Sequence, residues 1–277
     1  MTSELYAPLI ERDLVAFPPA AHAFLESHSL DELWLAVTRF AVLAYAPSQH
    51  AKRAVMACLA AHDVRDELGE RWTEMILECA RYASESRQPW SEPPMLDPPE
   101  PSSGELAELR AAMRDGDRLR GERWLAARLE DADIALRDLV HCDALLMLDT
   151  AIALLPLLGE KGRYALLRMP VWELIAAPDA TDDHTPLATR IARAVESNGS
   201  PEAVTPVFWG TGFEPAPGPA VSNPAGLSPY GLARDYAQTL LAHSWARRLP
   251  QAQAEPLLRA VHHNLEHGES FADWSFA

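Results

Sequence analysis

The chain has 277 residues, 48% of them hydrophobic, which is enough to bury a sizeable core as one large domain or two smaller ones. Lys and Arg number 24 against 40 Asp and Glu, a net charge of −16, and no run of Lys or Arg forms a local basic patch. A nucleic-acid binder needs a basic footprint and an anionic membrane surface attracts one, so this balance excludes the first and disfavours the second.

The opening residues, MTSELYAPLIERD, lack a basic start followed by an apolar run, so no secretory leader is expected. From residue 30 the period is helical. The segment 30 to 45, LDELWLAVTRFAVLAY, places Leu33, Val37, Phe40 and Ala44 on one stripe. Ser48 reads as an N-cap, and Gln49 to Val64 as the next helix. Glu67 to Ser84 follows, with Trp72, Met75, Ile76, Cys79 and Tyr82 on its apolar face. Residues 86–103 hold six prolines and form a linker or strap, because proline cannot continue a helix.

Helices resume near Gly104, over Leu119 to Leu129, Ile134 to Leu155 and Lys161 to Ala176. The longest apolar stretch, Ala144 to Leu158, carries Asp149 and Pro156 and reads as a buried helix, too short to span a membrane. Another helix runs from Thr185 or Pro186 to Ser197, and two last ones from about Ser228 to Arg248 and Gln251 to His267. Strand patterning is nearly absent, with Ala203 to Phe208 the one weak candidate. The expected fold is all-α: stacked antiparallel helical hairpins, HEAT-like or a bundle, in a single domain 1–277 or in sub-units 1–85 and 104–277 joined by the linker.

Two segments are alike. His50 and His141 each open an apolar helix, and a Leu-Gly-Glu follows at 68–70 and 158–160, with His-to-Leu spacings of 18 and 17 residues. Stacked hairpins repeat in this way because one hairpin cannot bury its own apolar face. Two hairpins with glycine turns also look alike by chance, and both alternatives stay open.

Most catalytic signatures are missing. No GxxxxGK[ST] or strand-borne GxGxxG marks a nucleotide site, and no GxSxG marks a nucleophile elbow. None of the ten histidines follows a Glu by three, so the di-iron bundle motif fails. His263 and His267 share a helix face and would supply two ligands of a zinc site, but HExxH is absent, and a capped helix end with Gly268 explains both. No metal is therefore assigned. The odd, scattered cysteines Cys58, Cys79 and Cys142 suit free, buried thiols in a reducing cytoplasm.

What remains is a set of histidines on apolar helices and one long loop. His50 and His141 could meet where the hairpins pack, and a histidine of tuned pKa serves as a general base on a phenol or acidic C–H. A satisfied core or surface histidine is the plainer alternative. Residues 200–229 form a Pro/Gly-rich connection longer than the usual ~12–15 residues, as a lid, binding loop or disordered segment. Its Phe208, Trp209 and Phe213 argue against plain disorder. With Trp172 or Trp245 they would close an apolar pocket over a planar ligand, or they plug the core, or they meet a second copy in a homodimer.

The stretch YAPSQHAKRAVMACLAAHD resembles the first conserved helix of the questin oxidase-like proteins, and the stretch from Trp124 through HCDALLMLDTAIAL to the Arg168 region is similar to that family's later His-centred helix. The likeness covers about residues 34–176. The family has His-Gly or His-x-Pro-Met where this chain has His50-Ala51-Lys52 and His141-Cys142-Asp143. The resemblance implies a cofactor-poor oxidase that opens aromatic polyketides in Baeyer–Villiger fashion with NADPH and oxygen. It carries over only His50 and His141, as acid/base or orienting groups, and the residues themselves assign no cofactor. The competing expectation is a non-catalytic helical-repeat protein that binds a partner.

Overall fold

Ser29 opens the first helix of the central core. Its side chain accepts the backbone N–H of Glu32, and the Glu32 carboxylate accepts the N–H of Ser29 in return at 2.8 Å. This capping box satisfies two orphan donors and holds the Glu32 carboxyl below its usual range. The computed structural model describes residues 3–45, 49–85, 97–137, 139 and 142–176, with 215–217, 251, 254, 255, 258 and 269–271 beyond. These residues form an all-α fold, apart from one three-residue strand pair.

In the first half α1 (Ser3–Glu11) and α2 (Phe17–Leu25) pack together ahead of α3 (Leu30–Leu43), α4 (Gln49–Asp63), α5 (Arg65–Leu68) and α6 (Trp72–Ser84). The single helix expected over 67–84 is divided. Gly69 takes φ +54, which ends α5, and a 3-10 turn over Gly69–Arg71 starts α6. The first two helices were not read from the sequence; Pro8 lies inside one and prolines fill the first turn of the other.

The second half holds α7 (Leu106–Asp115), α8 (Arg118–Ala127), α9 (Ala132–Arg137), α10 (Cys142–Leu158) and α11 (Arg163–Ala176). Asp117 caps α8 by accepting from the Arg120 N–H at 3.0 Å. The helix expected over 134–155 is two helices, α9 and α10, with Leu139 in a turn between them. No Gly or Pro marks that break. The Leu-Gly-Glu turns do correspond: Gly159, like Gly69, has positive φ, and a 3-10 turn over Glu160–Gly162 leads into α11.

The core is contiguous from Leu5 in α1 to Ile175 in α11. α3, α4 and α6 pack on one another, α10 packs on α11, and the halves meet where α10 touches α4 and α11 touches α3. α11 has no solvent face between Tyr164 and Ile175. A Cβ at Gly121 would meet Ile175 Cδ1 at 2.3 Å and Val171 Cγ1 at 3.1 Å, so the missing side chain is what lets α8 approach α11.

Strand β1 (Pro215–Pro217) pairs antiparallel with β2 (Glu269–Phe271), Pro215 opposite Phe271; its prolines lack N–H donors, which keeps the ladder minimal. The helices expected over 185–197 and 228–248 and the strand at 203–208 lie outside the described residues; within 251–267, residues 251, 254, 255 and 258 are helical. Among the described residues no helix is long and apolar enough to cross a membrane.

Gly121→Val should overpack the α8–α11 crossing and lower the unfolding free energy by about 1–3 kcal/mol, read from urea denaturation. An unchanged midpoint would show that the two helices do not need this close approach.

Candidate functional site

The fully buried run of α11 includes two charged residues, Arg168 and Glu173, each only 6% exposed. Removing an ionised group from water costs several kcal/mol unless partners replace the solvent. The partners of these two residues define the site.

Glu173 accepts a hydrogen bond from the Tyr45 hydroxyl, which lies just past the end of α3 and is fully buried. This bond links the two halves of the molecule. On the α8 side, Glu122 receives two donors, the Trp172 indole N–H at 2.8 Å and the Tyr164 hydroxyl at 2.7 Å, one on each carboxylate oxygen. Glu122 follows Gly121 directly, so the close crossing of α8 and α11 is what brings its carboxylate within reach. Burial, reinforced by the Glu122 carboxylate, pushes the Tyr164 phenol well above its ordinary pKa.

Arg168 is held differently. Its guanidinium lies 4.5 Å from the Trp172 ring centroid, and the exposed Arg118 guanidinium lies over the same indole at 5.0 Å. Arg168 Nη2 donates a long bond of 3.4 Å to the Leu43 carbonyl, and Nε is buried with no partner. Burial lowers the Arg168 pKa, while Glu122, Tyr164 and Tyr45 oppose that shift electrostatically. The Tyr45 and Trp172 rings sit 6.5 Å apart, which completes a cluster of aromatic faces and polar ends.

Of the residues expected at a site, Trp172 is in this cluster, with its indole N–H committed to Glu122. His50 is the second residue of α4, five positions after Tyr45, and its side chain lies outside the described residues. His141, which directly precedes α10, lies outside them too, as do Phe208, Trp209, Phe213, Trp245, His263 and His267. α4 and α10, the helices that begin around His50 and His141, pack against each other. α10 and α11 form an antiparallel hairpin, so α10 begins at the end of α11 that carries Trp172 and Glu173, and α4 begins just after Tyr45.

His62 is a packed ring: it lies 4.3 Å from the Trp34 ring and receives Arg65 Nη1 at 2.8 Å. Cys58 and Cys79 are free and buried, and they are not scattered in space; a hydrogen bond with Cys58, together with burial, raises the Cys79 thiol. Among the described residues no group of three His, Cys, Asp or Glu could hold a metal ion. Sequence reasoning missed Tyr45, Arg118, Glu122, Tyr164, Arg168 and Glu173 as a set. The available signal was charge inside an apolar helix: in RYALLRMPVWELIA, Arg168 and Trp172 stand four apart on one face, with Glu173 beside them.

No protein-family model, curated protein or solved structure matches this chain.

Buried phenols make the fold sensitive to alkali. Burial pushes Tyr6 up to about 12, and Tyr164 is raised as well. A folded pKa above the unfolded value of about 10 gives stability that is complete below pH 10 and is lost as pH rises through the folded value. For Tyr6 the loss is about 3 kcal/mol between pH 10 and 12. Urea unfolding across pH 9–12 should show this fall, and Tyr6→Phe should flatten it; equal slopes in both proteins would contradict the assignment.

Proposed function

We propose that the protein binds a hydrophobic, aromatic small molecule at the Trp172–Glu173 end of α11 and acts on it as a cofactor-poor, oxidoreductase-like enzyme. The observation that carries this reading is the network of Arg168, Glu173, Glu122, Tyr45, Tyr164 and Trp172 around α11. Ionisable groups held in a low-dielectric, aromatic-lined environment are the material of acid–base sites. His50 and His141, at and just before the starts of α4 and α10, would take and return the proton of a phenol or an acidic C–H. Phe208, Trp209 and Phe213 of the 200–229 loop would cover the bound ring. The oxidoreductase class, with NADPH and oxygen as co-reactants, rests on the resemblance to the questin oxidase-like proteins. Free, buried Cys58 and Cys79 suit a reducing, cytoplasmic setting.

The second reading is a non-catalytic helical-repeat protein, which the matched glycine turns of the two hairpins and the contiguous core favour. In that case the loop aromatics meet a protein partner or a second copy of the chain in a homodimer.

Hydroxylated naphthalenes and anthraquinones, offered with NADPH under air, should quench tryptophan fluorescence and be turned over. His50→Ala and His141→Ala should each lower turnover about 100-fold or more while leaving the helical circular dichroism unchanged. Helical signal lost together with activity would mark the histidines as structural, and no binding at millimolar ligand would leave the repeat-protein reading standing.

A further inference from the structure

A guanidinium carries five N–H donors and cannot shed its charge. Arg168 is 6% exposed, yet the bond it makes is a long one of 3.4 Å to the Leu43 carbonyl, and its Nε–H points at no acceptor. The carboxylates of the network receive other donors. Both oxygens of Glu122 hold donors from Trp172 and Tyr164, and Glu173 accepts from Tyr45. Glu122 acts on Arg168 electrostatically, but no carboxylate among the described residues pairs with it. The Trp172 face compensates only in part.

We propose that Arg168 is the anion-recognition group of the site and that the ligand is an aromatic carboxylic acid, its carboxylate on the guanidinium and its ring against Tyr45 and Trp172. This rests on the reading of the site as one for an aromatic small molecule. A planar, singly charged carboxylate matches one guanidinium fork through two parallel N–H···O bonds. A phosphate would bring a second charge next to Glu122, in a chain whose net charge is already −16. Because Nε has no open surface, docking parts the side chains that cover it and exchanges the long Leu43 bond for short charge-assisted ones.

The test uses 2-naphthoate, its neutral isostere 2-naphthamide and inorganic phosphate, each titrated into the full chain by calorimetry. Naphthoate should bind about tenfold or more tighter than naphthamide, and phosphate should not compete. Arg168→Met should erase the preference while the unliganded protein melts at or above the wild-type temperature, since a buried unpaired charge is gone. If that variant fails to fold, Arg168→Lys, which keeps the charge and loses the fork, should still lose most of the preference. Equal binding of acid and amide would overturn anion recognition and leave the aromatic site intact. Naphthoate affinity unchanged in the folded Arg168 variants, or phosphate competing as well as naphthoate, would overturn it too. Binding of neither naphthalene would remove the aromatic-site reading and this inference with it.

Discussion

The burial of α11 constrains the rest of the molecule. A helix with no solvent face must solvate its own polar side chains with protein, and Arg168 and Glu173 lie within that buried run. Three elements answer this demand. The end of α3 supplies the Tyr45 hydroxyl and the Leu43 carbonyl, α8 supplies Glu122, and α11 supplies Trp172 and Tyr164. α8 reaches into range only because Gly121 has no Cβ to strike Ile175 and Val171. One glycine therefore links backbone packing to the placement of the adjacent carboxylate.

The same network is a seam between the halves of the chain. Pure hydrophobic contact between α10 and α4 and between α11 and α3 would bury apolar area without selecting a register. The Tyr45–Glu173 bond spans 128 positions of sequence and forms only at one alignment of α3 against α11. Buried polar contacts of this kind select a packing more than they add stability. The glycine turns at 69 and 159 act at the level below, each closing a hairpin through a backbone conformation that other residues adopt only with strain.

Helix periodicity was legible because it is written in local spacing. The stripe Leu33, Val37, Phe40 and Ala44 is buried as the 3.6-residue period requires, and so is the Trp72-to-Tyr82 face of α6. Breaks were legible only where a residue type forces them. Gly159 ends α10 at the Leu-Gly-Glu turn read from the sequence, whereas the break at Gly69 falls inside an expected helix and the turn between α9 and α10 carries no Gly or Pro. The site was less legible still, since its residues come from positions 43–45, 118–122 and 164–173, and no spacing rule joins them. Trp172 lies in the network, and the sequence marks it as an aromatic side chain without marking it as the ring beneath two arginines.

The network is satisfied unevenly. A set of buried polar groups that only ties helices together gains from satisfying every donor and acceptor, because each orphan weakens the tie. Glu122 meets that standard, with both oxygens bonded. Arg168 does not. The Thr38 and Thr150 hydroxyls and the Trp72 and Trp124 indole N–H groups, also without partners, are neutral and cost far less to leave unbonded, and Arg128, whose Nε is likewise unbonded, is part-exposed and pairs with Asp131 at 2.7 Å. A permanent cation left in that condition, beside a Glu122 carboxylate already engaged with other residues, is a standing cost to the fold. It is the kind of cost that structures retain where a ligand supplies the missing partner.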